Sequence, residues 1–343
     1  MKKKMLITGG CGFIGTNIAL YFVDKGYVVF IVDNLSRPGS EINARLLEER
    51  GIIHTHLDIS SQGEELLKMV RENDIDVIIH AAAQVAVTTS VTDPMFDFRI
   101  NALGSLNVLE AARHAPKKPF VLFTSTNKVY GELKQIPTEE KDTRYAFTNL
   151  PLGIHEETLL DFHSPYGCSK GAADQYTRDW ARIYSVPTVV FRQSCIYGPH
   201  QFGIVDQGWV AFLTMQAFFE RPITIFGDGK QVRDILAVSD LVYAMEQAIE
   251  NKEKTQGQIF NIGGSSKYSI SLLEFTAFLE KRLNKKLDIR MNDWRPGDQK
   301  IYISDVGKAK EYFNWSPNTS LSEGFEDMFS WIEKNRDVLQ KFV

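Results

Sequence analysis

The sequence predicts an α/β fold in which a doubly wound parallel sheet carries a smaller C-terminal α/β lobe. Two observations indicate the sheet: short apolar strands alternate with helices through the first half of the chain, and a glycine-rich turn joins the first strand to the first helix. The third observation is size, because 343 residues suffice for two lobes with separate cores.

The first half contains the strands of the predicted sheet. Their apolar and β-branched runs lie at Lys4–Thr8, Tyr27–Val32, Ile52–His56, Val77–His80, Phe120–Thr124 and Thr188–Arg192. Helices are expected at Phe13–Lys25, at Asp93–His114 and from the segment around Tyr166 to about Tyr184. The polar segment at about Glu132–Asp161 has no clear period, and we expect it to be a loop.

The second half mixes elements of both lobes. The small lobe is assigned Ile223–Phe226, Leu272–Leu283 and Leu287–Met291. A return to the first lobe is expected for Asp234–Val238, Asp240–Glu250 and Gln258–Ile262. The first domain is therefore expected to comprise residues 1–192 and about 235–262, and the second to comprise about 193–234 and 263–343.

Composition argues against several classes of function. The net charge is −4 and no basic stripe is present, so we expect no nucleic-acid partner. No apolar run is long enough to cross a bilayer, and no membrane partner is expected. The three cysteines lack metal-ligand spacing, so the sequence predicts no metal site. Their odd number fits free thiols in the reduced cytoplasm better than a set of disulfides.

The turn Thr8-Gly9-Gly10-Cys11-Gly12-Phe13-Ile14-Gly15 is the first candidate binding feature. Gly9, Gly12 and Gly15 have the G-x-x-G-x-x-G spacing between a strand and a helix. Glycines let the backbone approach a pyrophosphate, and the helix N-terminus presents free N–H groups to it. The turn predicts a dinucleotide site of the Rossmann type, with Phe13 and Ile14 as further contacts.

Two charged residues near the end of the second strand bear on the choice between NAD and NADP. Asp33 can accept hydrogen bonds from the adenosine ribose and would repel a 2′-phosphate. Arg37 could instead bind that phosphate. The sequence favours NAD, and a helix-capping role for Asp33 stays open.

Other residues are assigned to the same cofactor. Asp58 either meets the adenine amino group or caps a helix. Asn101 either braces the active-site backbone or is an ordinary helix residue. Cys195 is expected near the nicotinamide as a space-filling thiol, since no basic partner is evident. The remaining assigned contacts are Asn34, Ile59, Ala81, Ala82 and Ala83.

Tyr166 and Lys170 are the most informative pair in the chain. Their spacing places both side chains on one face of a helix. A phenol titrates at about pH 10, and an ammonium one helical turn away favours its deprotonated form, the phenolate. We expect Tyr166 to take a hydroxyl proton, while Lys170 lowers the Tyr166 pKa and holds the nicotinamide ribose. Thr126, at a strand end, is expected to hydrogen-bond the reacting oxygen.

Substrate contacts are assigned to polar residues on both sides of the expected cleft. Asn127 and Lys128 follow Thr126, and a solvated surface position for Lys128 stays open. Arg233 and Arg295 either clamp a diphosphate through forked cationic donors or form surface salt bridges. The other assigned substrate contacts are Gln201, Gln207 and Asp298.

Together these motifs resemble the extended short-chain dehydrogenase/reductase family, and in particular its sugar-nucleotide epimerases and dehydratases. The resemblance covers essentially the whole chain. Three segments resemble more narrowly the 2-epimerases of CDP-paratose and CDP-tyvelose: Ser125–Gly131, Asp161–Tyr176, and Gln201-Phe202 followed by Asp206–Val210. The family's 4,6-dehydratases carry an Asp-Glu pair where this chain has Asn127-Lys128, so we do not expect dehydration.

The resemblance implies tightly bound, recycled NAD, a catalytic set formed by Thr126, Tyr166 and Lys170, and a homodimer packed through helices. It also implies epimerisation at C2 of a CDP-sugar through a 2-keto intermediate. Two alternatives stay open, a UDP-sugar 4-epimerase and a non-catalytic NAD-sensing regulator. The intact Tyr166 and Lys170 pair argues against the regulator.

Overall fold

The computed structural model describes residues 2–295 and 298–342. The strands are β1 (Lys4–Thr8), β2 (Val28–Asp33), β3 (His54–His56), β4 (Val77–His80), β5 (Phe120–Thr126), β6 (Thr138–Glu140), β7 (Tyr145–Phe147), β8 (Thr188–Gln193), β9 (Cys195–Tyr197), β10 (Ile223–Phe226), β11 (Val232–Ala237), β12 (Gln258–Ile262), β13 (Ser269–Ser271), β14 (Ile289–Asn292) and β15 (Ile301–Tyr302). The helices are α1 (Phe13–Asp24), α2 (Ser40–Glu49), α3 (Gly63–Glu72), α4 (Val87–Thr92), α5 (Pro94–Phe98), α6 (Gly104–Arg113), α7 (Ser164–Tyr184), α8 (Trp209–Phe218), α9 (Val238–Glu250), α10 (Lys252–Thr255), α11 (Leu272–Leu283), α12 (Gly307–Phe313), α13 (Leu321–Lys334) and α14 (Arg336–Leu339).

Seven parallel strands form the main sheet in the order β12-β8-β5-β4-β1-β2-β3. The direction of strand addition reverses between β1 and β4, which creates a crevice at the carboxyl ends of these strands. Open α/β sheets bind ligands in such a crevice. The predicted fold class, a doubly wound parallel sheet, is confirmed.

Helices cover both faces of this sheet because successive strand residues point to opposite sides. In β1, Ile7 packs into a core with Ile18 of α1 and Leu241 of α9. Its neighbour Leu6 packs on the other face, in the core that contains residues of α3 and α6. Strands buried on both faces explain the continuous apolar runs that were visible in the sequence.

The smaller lobe is built around β11. This strand pairs with β13 antiparallel and with β9 and β15 parallel, while β10 and β14 form a separate parallel pair. Helices α8, α11 and α13 contribute to its core, in which the rings of Phe275 and Phe325 pack together at 5.3 Å between centroids.

Two elements pack in a different lobe from the one to which the sequence assigned them. The strand expected at 234–238 was assigned to the main sheet but belongs to the smaller lobe, whereas β12 does join the main sheet. Helix α12 was assigned to the second domain, yet its Phe313 stacks on Phe191 and contacts Phe260, which lie on main-sheet strands. Buried strands of two sheets have the same apolar pattern, so sequence alone could not separate them. The division into two domains stays a prediction.

Two local features also differ from expectation. The long helix expected over 93–114 contains a π-helical turn at Arg99–Leu103, which joins α5 to α6. The segment expected to be a loop contains the short antiparallel pair β6 and β7. Among the described residues, no helix is long and apolar enough to cross a membrane.

Candidate active site

The glycine turn packs directly against the segment that follows β4. Gly9 has a φ of +68°, and a Cβ at this position would lie 2.7 Å from the backbone of Ala82. A Cβ on Gly15 would collide with the carbonyl oxygen of Gly9. The turn and the first turn of α1 therefore require glycine here, and the small residues after β4 let the two segments meet.

Asp33 connects the end of β2 to the glycine turn. Its Oδ2 accepts a hydrogen bond from the Cys11 backbone N–H at 3.0 Å, and its Oδ1 accepts one from the Leu35 N–H at 2.8 Å. Asp33 does not cap a helix, because α2 begins only at Ser40. Each carboxylate oxygen keeps a lone pair for a further donor, as ribose binding requires.

Asp58 lies beside Asp33 in the same cleft and forms a turn of its own. Its Oδ1 accepts from the N–H and the hydroxyl of Ser60, and its Oδ2 accepts from Asn34 Nδ2 at 3.0 Å. Burial raises the pKa of Asp58, but these hydrogen bonds outweigh it and hold the pKa below its usual range. Gln62, and not Asp58, occupies the N-cap of α3.

Most of the residues assigned to the cofactor line one cleft at the carboxyl ends of β1, β2 and β4. They are Gly9, Gly12, Phe13, Ile14, Gly15, Asp33, Asn34, Arg37, Asp58, Ile59, Ala81, Ala82 and Ala83. The lining also includes Gln201 and Gln207, which were assigned to the substrate. Asn101, Tyr166, Lys170 and Cys195 are not part of this lining. Asn43 and Gln84 also line the cleft and were missed, because no local motif marked them; Phe202 lines it too and was named only as part of a segment of the family resemblance.

Tyr166 and Lys170 lie buried on α7, which packs against β5. The Lys170 ammonium donates a hydrogen bond to the Thr124 carbonyl at 2.7 Å and lies 4.2 Å from the centre of the Phe123 ring. Thr126 ends β5, and its hydroxyl faces the Tyr166 phenol as a hydrogen-bond partner. The structure thus brings the three expected catalytic side chains to one end of β5.

Burial is the largest cause of the pKa shifts of Tyr166 and Lys170. Burial raises the pKa of Tyr166 to about 12, with the Thr126 hydrogen bond acting in the opposite direction and Asp97 adding to the rise. Burial lowers the pKa of Lys170 to about 7, against the charges of Asp174 and Asp97. Sequence analysis expected Lys170 to lower the Tyr166 pKa, but in the ligand-free geometry its ammonium is directed at Thr124.

Asn101 lies in the π-helical turn and connects three segments. Its Oδ1 accepts from the Gln84 N–H at 3.0 Å, while its Nδ2 donates to the Gln84 carbonyl and to Ser169 Oγ. Because Gln84 lines the cleft and Ser169 lies on α7, Asn101 joins the cleft wall to the Tyr166 helix. The geometry matches the bracing interpretation, and a π-helical turn is frequent at functional sites.

A cluster of charged side chains lies on the side of the smaller lobe and includes Lys128, the residue after Asn127. Lys128 Nζ lies 3.7 Å from Asp298 Oδ1, and Arg233 Nη2 donates to the same oxygen at 2.6 Å. Burial lowers the pKa of Lys128, and burial of Asp298 is outweighed by the two cations, which hold its pKa below the usual range. Lys128 is therefore a half-buried member of an ion cluster, with its side chain 25% exposed, and not a fully solvated surface lysine.

Cys195 belongs to this cluster and not to the cleft lining. Trp209 Nε1 donates to its Sγ at 3.2 Å. Contrary to the sequence expectation, basic neighbours exist: Arg233 and Lys128 both lower the pKa of the Cys195 thiol, but burial dominates and raises it. A protonated, space-filling thiol is the result.

Arg295 contacts residues of the same chain that are distant from it in the sequence. Its Nη2 donates to the Val205 carbonyl at 3.1 Å and lies 3.3 Å from Asp206 Oδ1, and its guanidinium lies over the Phe226 ring. Both Arg233 and Arg295 therefore form ion pairs within the chain. Among residues 2–295 and 298–342, no group of His, Cys, Asp or Glu side chains is arranged to hold a metal ion.

Sequence analysis also missed a buried ion pair beneath the catalytic helix. Asp174, one turn after Lys170, accepts hydrogen bonds from Arg192 Nε and Nη2, both at 2.9 Å, and from Ser125 Oγ. This pair ties α7 to β5 and β8 in the interior. The i, i+4 spacing of Lys170 and Asp174 was a signal, but only the fold shows that Arg192 is the partner.

The fold and the cleft together define a dinucleotide-binding α/β protein with a Tyr/Lys pair beside the switch point of its sheet. Comparison with known proteins agrees with this class. The family model described as GDP-mannose 4,6 dehydratase matches residues 6–328. The chain belongs to this family and thus to the extended short-chain dehydrogenases/reductases, as its motifs predicted.

Its relatives include epimerases of nucleotide sugars. The CDP-paratose 2-epimerase of Salmonella typhi is 43% identical over 336 residues, which cover 96% of this chain and 98% of that protein. The UDP-glucose 4-epimerase of Thermotoga maritima has a TM-score of 0.84 and 30% identity, with 97% and 99% of the two chains covered. The UDP-glucuronic acid 4-epimerase of Bacillus cereus, in complex with UDP-glucuronic acid and NAD, has a TM-score of 0.83 and 29% identity, with 96% and 99% covered.

Proposed function

We propose that this protein is an NAD-dependent epimerase that inverts C2 of a CDP-linked sugar of the paratose and tyvelose type. The observation that carries the proposal is the arrangement at the end of β5, where Thr126 and the Tyr166 phenol meet beside the Asn127-Lys128 pair. The similarity to CDP-paratose 2-epimerase along the whole chain supports it.

The residues of the cleft fit NAD. The glycine turn leaves no room for side chains where a pyrophosphate would approach, and Asp33 has acceptor capacity left for a ribose. Arg37 lines the same cleft, where burial lowers the pKa of its guanidinium. NAD supplies the hydride acceptor and donor when bound, and we propose that it stays bound between turnovers, because an epimerase that returns the hydride gains nothing from release.

The chain's own side chains would act as follows. Tyr166 takes the proton of the sugar hydroxyl at C2, and Thr126 hydrogen-bonds the same oxygen. The Lys170 ammonium stabilises the phenolate and holds the nicotinamide ribose. Oxidation at C4 would acidify C3 and C5 only, so direct oxidation at C2 is the economical route to a 2-keto sugar that turns over and is reduced on its other face.

Turnover of the keto sugar within the site requires that the nucleotide diphosphate supply most of the binding energy. Arg233 and Arg295 are placed for this role in the smaller lobe and at its edge. Lys128 lies half-buried beside Arg233, and we assign it to the substrate between the diphosphate and the sugar. The acidic partners Asp298 and Asp206 hold the two guanidinium groups in position until an anionic ligand competes for them.

The proposal includes a homodimer packed through helices. Helices α4, α5 and α7 pack side by side on one flank of the main sheet. They carry large apolar side chains that are exposed in the single chain: Val91, Met95, Phe98, Tyr176 and Ile183. Several exposed large apolar side chains on neighbouring helices suit a protein interface.

The function is tested by releasing the cofactor and assaying the substrate. Protein denatured after purification is expected to release NAD, which mass spectrometry identifies. Holoenzyme incubated with CDP-paratose or CDP-tyvelose is expected to yield the C2 epimer by NMR, with UDP-glucose and UDP-galactose as the competing pair. Exclusive release of NADP, or turnover at C4 of the UDP-sugars only, would reject the proposal.

The diphosphate assignment makes a separate prediction. Arg233→Ala and Arg295→Ala should each raise KM for the nucleotide sugar more than they lower kcat, because each removes charge-assisted hydrogen bonds worth about 1.5–3 kcal/mol, roughly 10- to 150-fold in binding. Arg290→Ala is the matched control, since Arg290 is exposed and forms an ion pair with Asp288. Steady-state kinetics provide the measurement, and unchanged KM in both variants would contradict the clamp.

A further inference from the structure

Asp97 on α5 is a fully buried carboxylate that the proposed mechanism does not use. Its Oδ1 accepts hydrogen bonds from Gln84 Nε2 at 2.8 Å and from Asn101 Nδ2 at 3.0 Å. Its Oδ2 accepts one from the Ser169 hydroxyl. Asp97 thus contacts the wall of the cofactor cleft through Gln84 and the catalytic helix through Ser169.

Two of the partners of Asp97 can only donate to it. Asn101 Oδ1 is occupied by the Gln84 backbone N–H, so its Nδ2 must face Asp97. Gln84 Oε1 accepts from the Ala86 N–H, so its Nε2 must face Asp97 as well. With the Ser169 hydroxyl, Asp97 has three donors around it, and an ionised carboxylate has acceptor sites for all three.

This charge has no cation in contact with it. In the part of the chain that the structure describes, no Lys or Arg forms an ion pair with Asp97, whereas Asp174 is neutralised by Arg192. A buried charge is costly unless something compensates it, and here three neutral donors do so. Its field therefore acts on the nearest ionisable groups, Tyr166 and Lys170, which flank Ser169 on α7.

The other ionisable groups around this pair are accounted for. His80 on β4 is neutral, since burial lowers its pKa to about 3 and both ring nitrogens bond to Thr8 and Ser105. Asp174 is paired with Arg192. Lys128, on the turn after β5, is paired with Asp298. Asp93 at the start of α5 and Arg99 in the π-helical turn are also on elements packed against α7, but both are exposed, whereas Asp97 is buried.

We propose that Asp97 is a positioning residue whose negative charge keeps Lys170 protonated and whose hydrogen bonds hold the catalytic helix against the cleft wall. The inference rests on the proposed roles of Tyr166 and Lys170. Burial lowers the pKa of Lys170, and the charges of Asp174 and then Asp97 oppose that fall; burial raises the pKa of Tyr166, and Asp97 adds to that rise. The Asp97 charge therefore favours the Lys170 ammonium and disfavours the Tyr166 phenolate. Both groups lose their protons at a higher pH than they would without it.

Asp97→Asn tests the charge with little change in shape. The amide oxygen can accept from Gln84 and Asn101, and the amide nitrogen can donate to Ser169 Oγ. Without the charge, Lys170 loses its proton at lower pH and Tyr166 forms its phenolate at lower pH. Both limbs of the pH profile of kcat are therefore expected to move to lower pH by about 1 unit. A residue with only a structural role would lower the maximum and leave both limbs in place.

Ser169→Ala is the matched control, because it removes one hydrogen bond to Asp97 but keeps the charge. It should lower kcat without moving the limbs. Limbs that stay fixed in Asp97→Asn, or that move equally in Ser169→Ala, would overturn the proposal. Cofactor content and thermal melting of each variant establish that it is folded.

A second measurement does not depend on the substrate. NMR of the holoenzyme with ¹³C-labelled lysine, with the Lys170 signal assigned by its loss in Lys170→Met, gives the Lys170 pKa directly. It is expected to fall by about 1 unit in Asp97→Asn. If no nucleotide sugar is turned over, the proposed function fails while this titration still decides the role of Asp97. An unchanged Lys170 pKa would reject it.

Discussion

Tyr166→Phe is expected to lower kcat by several orders of magnitude while binding of the nucleotide sugar stays nearly intact. The substitution removes the phenol that takes the hydroxyl proton and changes little volume, because the ring stays in its buried position on α7. A general base alone accounts for roughly 100- to 10,000-fold in rate. Loss of the hydrogen bond to Thr126 adds to this effect.

Steady-state kinetics and calorimetric binding of the nucleotide sugar separate these two effects. Tyr176→Phe is the matched control, since Tyr176 lies on the same helix but is exposed on its outer side. It should leave kcat unchanged. A loss of less than tenfold in Tyr166→Phe would remove Tyr166 from the proposed mechanism.

The second large effect concerns the path of the C2 hydrogen. If C2 is oxidised directly, its hydrogen leaves as hydride and returns to the same carbon without meeting solvent. Epimerisation in D2O should then leave no deuterium at C2 of the product, as read by NMR. A substrate deuterated at C2 should keep its label and react more slowly if hydride transfer limits the rate.

The competing route passes through a ketone at C3 and removes the C2 hydrogen as a proton. It needs a base, and it could not operate on a sugar that lacks a 3-hydroxyl. The sequence showed no carboxylate at positions 127 and 128, but the structure brings Asp298 to Lys128. Asp298 is a weak base, because Arg233 and Lys128 hold its pKa below the usual range.

Deuterium at C2 after turnover in D2O would overturn the direct route. Asp298→Asn then distinguishes the base. If solvent exchange is seen and is lost in this variant, Asp298 is the group that removes the proton. Neither result would alter the fold or the cofactor cleft, which rest on the glycine turn and the strand order.

Sequence periodicity predicted several elements of both lobes closely. The boundaries of β1, β4, β10, β12 and α11 agree with the prediction, and α7 ends at Tyr184 as expected. The spacing of apolar residues within each of these elements determines whether it is a strand or a helix and which of its sides is buried. The glycine turn was predicted for the same reason, since its conformation depends on adjacent residues.

The bracing at Asn101 illustrates what local patterns could not determine. The helical period over 93–114 was correct, but it did not show the π-helical turn that places Asn101 between Gln84 and Ser169. Such a turn depends on what the side chain binds in three dimensions. For the same reason the hydrogen bonds that surround Asp97 were not visible from its neighbours in the sequence.

The sequence by itself determined the parallel sheet, the dinucleotide turn and the Tyr166 and Lys170 pair, because each depends on residues within a few positions of one another. Only the tertiary structure decided the electrostatics of the site. It directed Lys170 to Thr124, paired Lys128 and Arg233 with Asp298, and surrounded Asp97 with neutral hydrogen-bond donors. Charges interact through space and burial strengthens them, so their effect depends on contacts between residues that are far apart in the chain.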